Sequence, residues 1–311
     1  FINHPKEDQT TKDFENLVHK KINIFKLGNV ETLNKIRELK IDIMIDLMGY
    51  TSFQKIELFK NRLANKQIIW MGYCNTTGIE NMDYIISDPH LIKPEEERFY
   101  SEKVIYLPEI WNCHCGFDFK RKEHIPPVIK NDYFTFGSFN NFDKVNQNVI
   151  KVWSDILKKV KNSKLILKTA KDIHATDRIK KVFKKEDVLD SVKFLDREDK
   201  VENHLNLYKE VDICLDTFPY NGVTTSFEAI WMGVPVITMA GYNFNSRCGE
   251  SINRNLNMES LIAKNSDEYI LKTIELTNSR KKYLDIRKLI FQNALEGPLF
   301  NAKKFSENFY R

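Results

Sequence analysis

No apolar run in the 311 residues approaches the ~18 that a membrane helix needs; the stretch "IDIMIDLMGY" is about half that length, so no membrane span is expected. Nothing at the N-terminus has the charged and apolar regions of a signal peptide. Disulfide pairing has no framework either: five cysteines (74, 113, 115, 214 and 248) are an odd number, and Cys214 sits inside an apolar strand pattern. Reduced thiols in a cytoplasm are the expectation. Zinc-finger spacing is absent, because "WNCHCGF" places Cys113, His114 and Cys115 in one cluster with no second cysteine pair. No internal repeat of solenoid period is present.

Hydrophobic residues at 42% and charged residues at 29% exclude a disordered chain and fit a soluble globular one. A formal charge of +5 and a pI near 8.7 raise the question of nucleic acid. However, the lysine runs "LKKVKNSK" and "RIKKVFKKED" are interleaved with acids and read as solvated helix faces. No RNA-binding aromatic signature accompanies them, so no nucleic-acid partner is expected.

Short β-rich runs alternate with segments of helical period, which predicts an α/β fold with parallel sheets. "IDIMIDLMGY", "KQIIWMGY", "MDYIISD" and "EKVIYLPE" read as strands, and "SFQKIELFKNRLA" reads as a helix after the first. The polar stretch "KRKEHIPPVIKND" with Pro126-Pro127 marks a domain boundary, giving lobes 1–128 and 129–311. In the second lobe "YFTFGSFN", "KLILK", "VKFLD", "VDICLD" and "VPVITM" supply strands. "NQNVIKVWSDILKKVK" is a helix with Ile150, Trp153, Ile156, Leu157 and Val160 on its buried stripe. Two doubly wound domains facing each other across a cleft is the predicted architecture.

Chemistry is most legible in "DICLDTFPYNGVTTSFEAIWMGVPVITM". In a doubly wound sheet, ligands bind beyond the carboxyl ends of strands, where loops enter helix N-termini. "VDICLD" reaches that edge, "TFPYNG" turns the chain at Asn221 and Gly222, and a helix starts at Thr224 and Thr225. Gly222 is read here as free to take a conformation closed to β-branched residues. Gly233 and Pro235 stop the helix. Free first-turn amides and hydroxyls suit a phosphate or diphosphate, and Glu228 stands close enough to bond ribose hydroxyls. The motif alone equally fits a plain N-cap at Thr224.

Two further segments bear on the choice. "GSFNNFDKVNQNVI" places Asn140, Asn141 and Lys144 in the loop after the first strand of the second lobe, on the same sheet edge. A lysine there can neutralise charge on a departing diphosphate. "DREDKVENHLNLYKEVDICLD" puts His204 on the helix that leads to the corner.

Taken in order, these segments with "DLMGYTSFQKIELFKNRLANKQIIWMGYCNTTGIENMDYIISD", "YSEKVIYLPE" and "NSRCGESI" resemble the catalytic region of the O-linked N-acetylglucosamine transferase and SPINDLY-like family of glycosyltransferases. The resemblance implies the two-lobed GT-B fold, inversion at the anomeric centre and no metal; the chain has no Asp-x-Asp triplet. It implies a nucleoside-diphosphate sugar donor, UDP-N-acetylglucosamine first, with no other cofactor and a protein Ser/Thr acceptor. UDP-glucose and GDP-fucose are the alternative donors, and a non-catalytic nucleotide-sugar-binding scaffold is the rival from another class. By resemblance, Lys144 stabilises the leaving diphosphate, Thr224 and Thr225 hold it, Glu228 faces the ribose and His204 the base. Asn141 stands where some members carry Gln. Val223 replaces a family histidine, with its backbone still in place, and Val201 stands at a family lysine near the base, beside Lys200. The resemblance also implies a strand–helix unit and tetratricopeptide repeats ahead of Phe1, which would leave the first lobe incomplete. His4 is not the acceptor-side histidine of the family.

Overall fold

The computed structural model describes residues 1–117, 121–169, 173–196, 198 and 200–311. Two compact units are present, Phe1–Leu107 and Pro108–Arg311.

The first unit carries helices α1 (Gln9–Glu15) and α2 (Asn29–Glu38) and strands β1 (Ile43–Asp46), β2 (Lys66–Ile69), β3 (Tyr84–Ser87) and β4 (Lys103–Tyr106). The strands pair in chain order, all parallel. All four fall within the apolar runs expected to form them. The helix expected over "SFQKIELFKNRLA" does not form; only a 3₁₀ turn, Ile56–Lys60, appears there. Side chains from elsewhere claim the carbonyls a longer helix would use. Gln67 Nε2 donates to the Phe59 carbonyl at 3.2 Å, and Asn81 Nδ2 donates to that of Lys60 at 2.7 Å. Burying Ile56, Leu58 and Phe59 on one turn leaves the following residues free to lead into β2. β1 is an edge strand beside a hollow of about 540 Å³, whose lining includes Ile2, Ile36, Ile43 and Ile45.

The second unit is built on β5 (Thr135–Ser138), β6 (Lys164–Lys168), β7 (Val192–Leu195), β8 (Ile213–Leu215), β9 (Val236–Met239) and β10 (Ile262–Ala263). Its sheet is parallel, in the order β10-β9-β8-β5-β6-β7. Helices α3 (Pro127–Asn131), α4 (Gln147–Lys159), α5 (Ile173–Lys185), α6 (Val201–Leu207), α7 (Thr224–Trp231), α8 (Cys248–Asn255), α9 (Ser266–Asn278), α10 (Arg280–Glu296) and α11 (Ala302–Phe309) accompany it. β5 and β8 are buried along their whole length, as a sheet covered on both faces requires. α4 shows how sequence makes the element. Asn146 caps it by accepting from the Val149 amide, and Val149, Ile150, Trp153, Ile156 and Leu157 form the buried stripe. Each such side chain contributes about 1.5–3 kcal/mol on burial.

The described residues of 108–128, a stretch that the proline pair assigned to the first lobe, fall within the second unit. Trp111 is fully buried against Phe244, and the His114 amide donates to the Leu299 carbonyl. Hydrophobic contact outweighs the local punctuation of Pro126-Pro127 here. Among the described residues, no helix is long and apolar enough to cross a membrane.

Candidate functional site

The strand order places the site. From β5 the chain runs outward through β6 and β7, then crosses to β8 on the other side of β5 and continues to β9 and β10. The topological switch point therefore lies between β5 and β8, beyond whose carboxyl ends ligands bind in sheets of this kind. Those two loops carry Asn140–Lys144 and Asp216–Val223.

The loop after β8 is held from within. Asp216 is fully buried and accepts from the Gly222 amide at 2.7 Å, the Thr217 amide at 2.9 Å and the Thr238 hydroxyl at 2.8 Å. Burial pushes its pKa up to about 6, against the opposing pull of these donors and of the Lys144 charge. Asn221 is also fully buried, with its amide working inside the loop. Its Nδ2 donates to the Thr217 carbonyl at 2.9 Å, and its Oδ1 accepts from the Gly249 amide at 3.1 Å. The expected Asn221 thus serves through its backbone: its carbonyl receives the Lys144 ammonium at 2.8 Å.

Gly222 is required for close approach. Its φ is not among the positive values, so the conformational freedom expected of it is not what the turn uses. An added Cβ would lie 2.5 Å from Thr225 Oγ1 and 2.7 Å from Asn140 Oδ1. That crowding reflects the bond joining the two loops, Thr225 hydroxyl to Asn140 Oδ1 at 2.9 Å.

α7 starts where the hydroxyl pair predicted it. Val223 is the N-cap residue and makes no side-chain cap; its carbonyl accepts from the Ser226 and Phe227 amides. The amides of Thr224 and Thr225 come ahead of that ladder, at the positive end of the helix. Thr224 is exposed there. The helix stops at Gly233, whose φ of 71° closes the turn: Val234 N–H bonds the Ala229 carbonyl and Gly233 N–H that of Ile230.

Lys144 is half-buried, its ammonium 4.0 Å from the centre of the Tyr220 ring as well as on the Asn221 carbonyl. Asn141 is exposed and accepts from the Asp143 amide, capping the short turn that carries Lys144. Lys144, Asn141, Gly222, Val223, Thr224 and Thr225 thus come together at one edge of one sheet.

His204 and Glu228 meet one turn away. His204 Nε2 lies 2.9 Å from Glu228 Oε2, and the Tyr208 hydroxyl donates to the same oxygen at 2.9 Å. Lys168, at the carboxyl end of β6, brings its ammonium to 3.3 Å from His204 Nδ1. The same ammonium is 3.5 Å from His204 Nε2. Burial, reinforced by the Glu228 carboxylate, raises the Tyr208 phenol well above its ordinary value. Glu228, expected beside a ribose, has one of its oxygens engaged by these two neighbours.

Sequence reasoning missed Asp216, Lys168, Tyr208 and Tyr220. Asp216 had a usable signal, since a carboxylate ending an apolar strand at a sheet's carboxyl edge is costly unless partnered. Lys168 had none beyond its place at the end of "KLILK".

"WNCHCGF" is a packing element. His114 stacks on Phe117, and the Cys113 thiol donates to the Leu299 carbonyl at 3.4 Å while burial lifts its pKa to about 11. Among the described residues, no group of three or more His, Cys, Asp or Glu is placed to hold a metal ion.

Comparison with known proteins finds a family and a set of relatives. The model of "Glycosyl transferase family 41" matches residues 9–120 and 121–309. The probable UDP-N-acetylglucosamine–peptide N-acetylglucosaminyltransferase SPINDLY of Solanum lycopersicum is 32% identical over 318 residues, covering 97% of this chain and 33% of that protein. The related protein SEC of Arabidopsis thaliana is 30% identical over 291 residues, covering 89% and 29%. The chain thus spans about a third of the length of the curated relatives it matches. Among solved structures, a Thermobaculum terrenum O-GlcNAc transferase mutant aligns with a TM-score of 0.90 and 25% identity, over 99% of this chain and 59% of that one. TarM of S. aureus, at 12% identity and a TM-score of 0.60, shares the GT-B fold over 91% of this chain and 59% of its own.

Proposed function

Since the chain belongs to glycosyltransferase family 41, we propose that it transfers a sugar from a nucleoside-diphosphate donor to a protein Ser or Thr hydroxyl. N-acetylglucosamine from UDP-N-acetylglucosamine is the favoured donor, because the SPINDLY and SEC relatives carry that donor in their names. The observation that carries the reading is the convergence of the Lys144 ammonium, the α7 first turn and the Thr225 hydroxyl at the switch point.

The mechanism is a single in-line displacement with inversion. The acceptor hydroxyl attacks C1 of the sugar as the C1–O bond to the diphosphate breaks; the bond electrons leave with the diphosphate, and the hydroxyl proton passes to water. Lys144, the amides of Thr224 and Thr225 and the Thr224 hydroxyl take up that charge, with the Thr225 hydroxyl tying the helix start to Asn140, so no metal is needed for it. We assign the nucleoside to the side of the same edge where His204, Glu228 and Lys168 meet.

Lys144→Ala tests the assignment. Removal of one preorganised donor to developing charge costs about 2.7–4 kcal/mol of barrier, so turnover falls by two or three decades, with binding weakened less. A near-normal rate in that variant rejects the role. Competition among UDP-N-acetylglucosamine, UDP-glucose and GDP-fucose identifies the donor.

A further inference from the structure

One aromatic side chain at the corner has no part in the scheme so far. Tyr220 is 42% exposed, and an exposed aromatic ring is ordinarily placed by little. Here its backbone is held on several sides. The Thr217 hydroxyl donates to the Tyr220 carbonyl at 2.7 Å, and the next residue, Asn221, is tied by its amide to the Asn245 carbonyl and by its side chain to Thr217 and Gly249. Just upstream, Asn146 Nδ2 bonds the Phe218 carbonyl at 2.7 Å. The segment that bears the ring is therefore a fixed part of the fold. The ring presents its face to Lys144, whose ammonium sits 4.0 Å from the centroid while donating to the Asn221 carbonyl.

A lysine side chain carries much rotamer entropy, and an ammonium on a flexible stem stabilises a leaving group only if it is held where the charge appears. A ring face attracts a cation without neutralising it, unlike a carboxylate. A carboxylate in this place would hold Lys144 more tightly but would repel the diphosphate. We propose that Tyr220 is a positioning residue for Lys144: its ring face and the Asn221 carbonyl form a charge-preserving seat that aims the ammonium at the donor's diphosphate. The role deepens the reading given above and rests on it for the ligand.

Two measurements test it, one with nucleotide and one without. Calorimetric titration of the 311-residue chain with UDP and with GDP compares wild type, Tyr220→Leu, Tyr220→Phe and each of these in the Lys144→Ala background. Tyr220→Leu is expected to weaken nucleotide binding about 3- to 30-fold, the range a cation–π contact spans from exposed to desolvated. Tyr220→Phe restores it, and Tyr220→Leu adds nothing once Lys144 is gone. Wild-type affinity in Tyr220→Leu, or an equal loss in both backgrounds, overturns the proposal; the second result means the ring touches the ligand itself. The ligand-free arm is ¹³C reductive methylation of lysines read by NMR, with the Lys144 signal assigned by its loss in Lys144→Ala. Ring current moves that signal upfield in wild type and Tyr220→Phe and not in Tyr220→Leu. An unshifted wild-type signal overturns the seat. Absence of nucleotide binding in wild type with the upfield shift present keeps the seat and rejects the donor-site reading.

Discussion

Gly222→Ala puts the meeting of the two loops to a direct test. An alanine Cβ at this position lies 2.5 Å from Thr225 Oγ1 and 2.7 and 3.1 Å from the Asn140 side-chain oxygen and nitrogen. Gly222 is not among the positive-φ glycines, so left-handed backbone strain adds nothing to the crowding. Overpacking of this kind costs about 1–3 kcal/mol, and parting Thr225 from Asn140 forfeits a hydrogen bond worth about 1 kcal/mol. Lower entropy of the unfolded chain returns about 0.4–1 kcal/mol. A net loss of about 1–3 kcal/mol is expected, or roughly 2–12 °C in melting temperature for a unit of this size. Urea denaturation should show a lower midpoint at unchanged slope. Nucleotide titration on the same sample should show weakened UDP or GDP binding at temperatures where the variant is folded, because Thr225 is displaced from the helix start. An unchanged midpoint together with full binding would refute the close approach of the two loops.

Asp216→Asn should alter the pH dependence of stability. The folded carboxyl titrates at about 6 against an ordinary value of 3.8, so the folded state holds the proton more tightly and wild type gains from this group as pH falls from 6 towards 4. That contribution, ~3 kcal/mol in full, is present below the ordinary value and lost above 6. The unfolding free energy of wild type minus that of the variant should therefore rise between pH 7.5 and 4.5, and a flat difference refutes it. Asp212→Ala should be among the most damaging single changes in the second unit. It strands the Val128 and Thr135 amides at about 1–3 kcal/mol for each orphaned group, while the Tyr283 hydroxyl keeps the residue-212 carbonyl as its acceptor; a measured loss below about 1 kcal/mol would be incompatible with that network.

What could be read from the chain alone follows the range over which each force acts. Strands β5 to β9, helix α4 with its Trp153 stripe and the stop of α7 at Gly233 are set by side-chain periodicity and backbone stereochemistry over a few residues, and all were legible. So was the meeting of Lys144 with the start of α7, because a doubly wound order brings alternate loops to one edge and the family resemblance named the same residues. The 3₁₀ turn at Ile56–Lys60 was not legible: its carbonyls are taken by Gln67 and Asn81, which local helical period does not register. The packing of Trp111 was hidden for a similar reason, since it finds Phe244 more than a hundred positions away. Partner choice among polar groups was decided wholly by tertiary structure. Lys144 and Asn221 are 77 positions apart, His204 and Glu228 24, and Lys168 and His204 36. A buried donor or acceptor must be paired, but which partner pairs it depends on the strand order that folds the segments together. Sequence therefore determined which residues arrive at the sheet edge. Only the fold decided that Asp216 holds the turn, that Asn221 acts through its carbonyl, and that Tyr220 lies against Lys144.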